Sequence, residues 1–132
     1  MNLADIFAII SKNVKNRVFY VHVFSRPIFR EAEDNFPNDK QAIQDLYKGL
    51  VKATFKTPDE IRAVYKSLDN FKQCDKWYVI DIGGNNLRLI AKIDFVRQMM
   101  FIKYIVTHAD YDKISEKYNR MSAHDKQRSG CK

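Results

Sequence analysis

The chain has 132 residues, of which 45% are hydrophobic and 13% aromatic, with only four glycines and three prolines. That excludes a low-complexity or fibrous chain and predicts one folded domain with a real core. The formal net charge of +7 points to a polyanionic partner (nucleic acid, an acidic protein or a membrane surface), or simply to solubility.

The opening MNLADIFAIISKNVKNR is not expected to be an export signal, because Asp5 interrupts its apolar run and the basic residues follow that run. Leu3, Phe7, Ile10 and Val14 recur at helical spacing and predict a short amphipathic helix over 3–15. Val18 to Phe24, VFYVHVF, predicts a strand. Ser25 and Pro27 open a helix that Phe36–Pro37 closes, and a second helix starts at Asn38 or Asp39. Its apolar stripe is Ala42, Ile43, Leu46, Tyr47, Leu50 and Val51. Thr57, Pro58, Asp59 and Glu60 mark a third helix start.

Three strand-like runs follow, at 77–82, 87–96 and 99–107, and short connections predict an antiparallel meander. Residues 109–120 read as a C-terminal helix, and MSAHDKQRSGCK over 121–132 reads as a fraying polar tail. The expected fold is α+β, a twisted antiparallel sheet with N-terminal helices packed on one face and a C-terminal helix. No run approaches the roughly 20 apolar residues of a membrane span, so no membrane partner is expected.

Between the first two strands lies GGNN, residues 83–86. Glycine and asparagine supply positive φ in hairpin turns, and the flanking runs WYVIDI and LRLIAKI alternate like strands. A chain reversal is therefore expected in preference to a phosphate cradle, which needs a following helix. Cys74 and Cys131 belong to no CxxC or Cys/His cluster. Two reduced thiols in a cytoplasmic protein, and no zinc or other cofactor, are expected.

Pairing Ile82 with Leu87 and Phe95 with Met100 sorts the side chains by parity. One face is wholly apolar or aromatic, with Tyr104 among its members. The other carries Trp77, Asp81, Arg88, Lys92, Lys103 and Ile105, with Lys92 directly opposite Lys103. A phosphate chain would relieve that like-charge pair, or both lysines extend into solvent. Arg88 serves either an ion pair with Asp81 or a site. Trp77 either stacks a base or covers the sheet edge. In THADYDK, His108 and Tyr111 could move protons at a phosphodiester, or Thr107 and His108 cap the helix with Tyr111 buried.

Taken together, SLDNFK, WYVIDIGGNNLRLIA and YIVTHADYDK, with VHVFSRPIFREAEDNFP upstream, resemble the HigB toxins of bacterial toxin–antitoxin pairs, in the RelE-like group of messenger-RNA endonucleases. The resemblance runs from about Val21 to Tyr118, within a toxin domain expected over 18–120 and followed by the basic tail. Residues 1–17 precede it as an extra helix or an upstream translated stretch. The resemblance implies a compact sheet with helices on one side, and cleavage of messenger RNA, typically on the ribosome. It also implies neutralisation by a HigA-type helix-turn-helix antitoxin. Arg88, Lys72, His108 and Tyr111 take the family's matching positions. Arg88 is expected on the scissile phosphate with Lys72 in support, and His108 or Tyr111 as acid or base. Lys66, Lys92 and Lys103 would hold flanking phosphates, and Trp77 would stack a base. The alternative on the same fold is a module that binds RNA or the ribosome without cutting.

Overall fold

The computed structural model describes residues 20–132. The helix expected over 3–15 lies outside the described residues. The described residues open with β1 (His22–Phe24), then helix α1 (Arg26–Asn35), a 3₁₀ turn (Pro37–Asp39), α2 (Lys40–Val51) and α3 (Pro58–Val64). Strands β2 (Asp69–Asn70), β3 (Trp77–Ile82), β4 (Leu87–Asp94) and β5 (Met99–Thr107) follow, and α4 (His108–Arg120) and α5 (Ala123–Arg128) end the chain.

The local rules act as expected at most boundaries. Pro27 occupies the first turn of α1, where a missing N–H costs nothing. The Thr57 hydroxyl accepts from Glu60 N at 3.3 Å and caps α3. Gly83 and Gly84 both take positive φ, +62° and +75°, in the four-residue loop joining β3 to β4. A side chain at Gly83 would collide with the Asp39 carboxylate, which also accepts from Asn86 Nδ2 at 3.2 Å. GGNN therefore docks its hairpin loop on the helix layer.

The sheet order is β1-β5-β4-β3-β2. Three junctions are antiparallel, but β1 runs parallel to β5, so the sheet is mixed. Helices α1 to α3 cover one face. Their buried Phe29, Ala32, Ile43, Leu46, Leu50 and Ile61 meet Ile80, Ile82, Leu87, Leu89, Ile93, Met100 and Ile102 in the main core.

The expected register fails on β5. Ile82 does pair with Leu87, but Met99 pairs with Asp94, and Phe101 rather than Lys103 faces Lys92. Partners then jump from Ile102 opposite Ala91 to Tyr104 opposite Ile90, leaving Lys103 as an extra residue in a bulge. One inserted residue reverses parity beyond it. Ile105 thus enters the main core and Tyr104 turns to the opposite face.

That opposite face is not open. Tyr111, Ile114 and Tyr118 recur at helical spacing on α4 and pack on Phe71, Trp77, Val79 and Ile90 in a second apolar cluster. Leu89, Ile90 and Ala91 are consequently all buried on one strand. The Tyr104 hydroxyl finds the Tyr118 hydroxyl at 2.9 Å, as a buried phenol requires. Residues 121–132, expected as a polar tail, contain the short helix α5. The Ser122 hydroxyl caps α5 by accepting from Asp125 N at 3.1 Å. Cys131 is buried and disulfide-bonded to Cys74, so the two thiols expected to be free and reduced are joined. The 57-residue separation hid a proximity created by the returning strands and α4.

Candidate functional site: a cationic end of the sheet

Arg88 lies on β4 opposite Asp81 of β3 and Val106 of β5. Its guanidinium carbon sits 4.5 Å from the centroid of the Tyr111 ring, a contact worth roughly 1–2 kcal/mol when partly desolvated. Its Nε lies 3.7 Å from Asp81 Oδ1, and both side chains are partly exposed. That distance exceeds a hydrogen bond, and such a pair contributes under about 1 kcal/mol. Arg88 Nε is buried and finds no hydrogen-bond partner among the described residues. The guanidinium is thus oriented by stacking, and much of its donor capacity remains uncommitted.

Three other expected residues, His108, Tyr111 and Lys66, stand at this end of the sheet. Thr107 faces Leu87 across the ladder, so His108, the first residue of α4, stands beside the strand that carries Arg88. The Thr107 hydroxyl accepts from Asp110 N at 3.2 Å and holds this first turn. The helix-cap reading of Thr107 and the site reading of His108 and Tyr111 are therefore compatible. His108 is exposed and Tyr111 half-buried. The Phe71 ring packs edge-on to Tyr111 at 6.0 Å, but Phe71 N donates to Trp77 O at 2.9 Å, so exposed Lys72, the next residue, lies toward the opposite end of β3 from Asp81 and Arg88. Lys66 is exposed next to Ser67, whose hydroxyl accepts from Asp81 N at 2.9 Å.

The remaining three expected residues form a separate group near the β4–β5 hairpin. Trp77 is 1% exposed, between Phe71 at 5.8 Å and Tyr118 at 5.1 Å. Its indole N–H donates to Gly130 O at 3.1 Å. The expectation that it stacks a base is therefore overturned: α4 and the C-terminal segment cover the ring. Lys92 Nζ donates to the same carbonyl at 2.9 Å, and Lys103 Nζ stands 5.4 Å from the Trp77 ring centroid. Burial, then the charge of Lys92, holds the Lys103 ammonium below the usual lysine range. The lysines are thus close after all, but as neighbours around a bulge. Lys76 and Arg97, not expected in any site, line the same cleft. Lys76 arrives there through a left-handed backbone (φ 64°) that no residue type announced.

A guanidinium stacked on a phenol, an adjacent imidazole and a neighbouring exposed ammonium group can together bind a phosphodiester and exchange protons with it. Residues 39–114 match the family described as HigB toxin, the RelE-like toxic component of a toxin–antitoxin system. The mRNA interferase HigB of Escherichia coli O6:H1 is 46% identical over 98 residues, 74% of this chain and 95% of that protein. This chain belongs to the HigB toxin family. The mRNA interferase toxin HigB of E. coli K12 and the mRNA interferase HigB of Shigella flexneri are each 37% identical over 92 residues. Those matches cover 70% of this chain and 88% of each relative. Arg88, His108, Tyr111, Lys66 and Lys72 all fall inside the part matched to the HigB toxins, whereas α5 and Cys131 fall beyond it. No helix among the described residues is long and apolar enough to cross a membrane.

Proposed function

We infer that this chain is an mRNA interferase, the endoribonuclease toxin of a type II toxin–antitoxin system. One observation carries the siting of the activity: Arg88 is held over Tyr111 with its Nε unpartnered, at the strand end that leads into His108. Membership of the HigB toxins supplies the reaction class.

In the mechanism we propose, the 2′-OH of one nucleotide attacks the adjacent phosphorus and the 5′-oxygen leaves, giving a cyclic phosphate and a 5′-hydroxyl. Arg88 donates to the phosphoryl oxygens as charge gathers on them, a task that suits a pre-oriented guanidinium. Lys72 adds positive charge from the turn that follows β2. His108 and Tyr111 are the groups placed to take the 2′-OH proton and return one to the leaving oxygen. Lys66 holds a flanking phosphate, and Lys92 and Lys103 do so at the far end of the sheet face. DNA lacks the 2′-OH and is not a substrate for this route. The reading includes action on ribosome-bound messenger RNA in the cytoplasm and neutralisation by a HigA-type helix-turn-helix antitoxin.

The test is induced expression of wild type, Arg88→Ala and Tyr111→Phe, with growth followed and messenger-RNA 5′ ends mapped. The reading expects arrest and new 5′ ends within coding regions for wild type, and neither for the two variants. Soluble wild-type protein that produces neither would overturn it in favour of a binding module that does not cut.

A further inference from the structure

We propose that Lys92, Lys103 and the Trp77 indole N–H form a second phosphate-binding subsite for RNA, which the Gly130 carbonyl occupies while the Cys74–Cys131 disulfide is closed. The proposal rests on the RNA-cleaving reading above and adds regulation to it.

The Gly130 oxygen accepts from two donors at once, Trp77 Nε1 at 3.1 Å and Lys92 Nζ at 2.9 Å. A neutral carbonyl there does what a phosphate oxygen would do better, since bonds to an anion are charge-assisted. Lys103 lies close enough to Lys92 for their charges to repel, and a carbonyl dipole does not cancel two ammonium groups. The surrounding cleft, about 430 Å³, adds Lys76 and Arg97, with Asp94 as its one carboxylate. Asp94 is committed to Arg97, whose backbone N–H donates to it at 3.0 Å. The cleft keeps an excess of positive charge on the face that carries Arg88.

The covering strap is built by local rules. Gly130 sits just past α5 at φ +78°. Its N–H donates to Gln127 O at 3.3 Å and Cys131 N donates to Lys126 O at 2.8 Å, the paired bonds that end a helix in a left-handed residue. That turn aims the Gly130 carbonyl at the sheet. Asp75 N then donates to Cys131 O at 2.8 Å, and the disulfide completes the latch. The lysines and Cys74 lie within the residues matched to the HigB toxins, whereas Gly130 and Cys131 lie beyond them.

Opening requires a dithiol reductant. Its thiolate attacks one sulfur of the disulfide, and its second thiol resolves the mixed disulfide. Two electrons and two protons pass to Cys74 and Cys131, and the reductant leaves as a disulfide. The strap is then held by its hydrogen bonds and by the packing of Cys131 in the second cluster, without a covalent tie, and a phosphate can displace Gly130 from Lys92 and Trp77.

The experiment uses the whole chain and a fluorescein-labelled single-stranded RNA with 2′-O-methyl riboses, which binds but lacks the attacking hydroxyl. Affinity is measured across potassium chloride concentrations, before and after reduction with dithiothreitol, with both thiols verified by titration. Reduction should tighten binding about fivefold and steepen the log–log salt slope by about 0.7, the increment for one phosphate on a single strand. Cys131→Ser should bind like the reduced protein without reductant, and Lys92→Gln should erase the difference between the two states. Equal affinity before and after verified reduction, or a difference that survives in Lys92→Gln, would overturn the subsite. If Cys131→Ser does not fold, the wild-type comparison decides alone. Binding that ignores redox state leaves the nuclease reading standing; no RNA binding in either state overturns both.

Discussion

Arg88 shows how one side chain can serve scaffold and site together. Its contact with Asp81 is long and half-exposed, so Asp81→Asn should cost under about 1 kcal/mol in urea denaturation. Replacing the arginine itself is different in kind. Arg88→Lys keeps the charge but loses the planar fork and the stack on Tyr111. It should retain the fold by circular dichroism while slowing RNA cleavage by about 100-fold or more, the usual scale for losing a preorganised donor to a developing oxyanion. A lysine that cleaved at the wild-type rate would mean that charge alone suffices there. Tyr111→Phe separates the same contributions from the other side, because the ring that supports Arg88 remains while the hydroxyl is gone.

Among the elements, α4 matters most, because it both carries His108 and Tyr111 and roofs the second apolar cluster. Its start depends on the Thr107 hydroxyl. Thr107→Ala should cost about 1 kcal/mol and lower the melting temperature by about 4 °C, read by calorimetry. The β3–β4 loop permits a sharper comparison. Gly83 and Gly84 both have positive φ, so alanine at either pays roughly 1–2 kcal/mol for the left-handed backbone. Only at Gly83 does the new methyl also meet the Asp39 carboxylate; Gly84 opens into space. Denaturation should therefore find Gly83→Ala clearly less stable than Gly84→Ala. Equal losses would mean that the docking of this loop onto the 3₁₀ turn contributes nothing.

Across the whole molecule, the disulfide joins the β2–β3 connection to the last residues of the chain, closing a 57-residue separation. Chain-entropy arithmetic gives such a closure about 4 kcal/mol as an upper figure, so reduction should lower the urea midpoint in proportion. The second cluster also sets an alkaline limit. Burial first, then the hydrogen bond with Tyr104, raises the Tyr118 pKa above its ordinary value near 10.0. The unfolded chain therefore ionises this phenol first. Its contribution is intact below about pH 10 and is lost as pH climbs further. Lys103 acts in the opposite sense, since its lowered pKa makes stability rise as pH approaches the ordinary lysine value. Tyr118→Phe should flatten the alkaline loss in unfolding experiments; an unchanged pH profile would show that another group sets it.

Short-range chemistry determined the place of the helix starts, the GGNN reversal, the span of β3 and β5 and the apolar face of α2, because turn residues, positive-φ residues and side-chain periodicity act within a few residues of themselves. The expected Ser25 cap nevertheless forms no side-chain bond, and Ser25 takes a left-handed backbone instead. The joint presence of SLDNF, GGNNLR and THADYD was also legible, and with it the family and the gathering of Arg88, His108 and Tyr111. Only the tertiary structure decided the Lys103 bulge, because a single extra residue leaves local alternation intact on either side of it while reversing which face each side chain meets. It likewise decided the burial of Trp77 and the pairing of Cys74 with Cys131. Both depend on where α4 carries the end of the chain, and that path is set by burying Tyr111, Ile114 and Tyr118 against strands far earlier in the sequence. A polar, basic terminal stretch announced none of this, since what holds it is one glycine carbonyl, one disulfide and the sheet face they happen to reach.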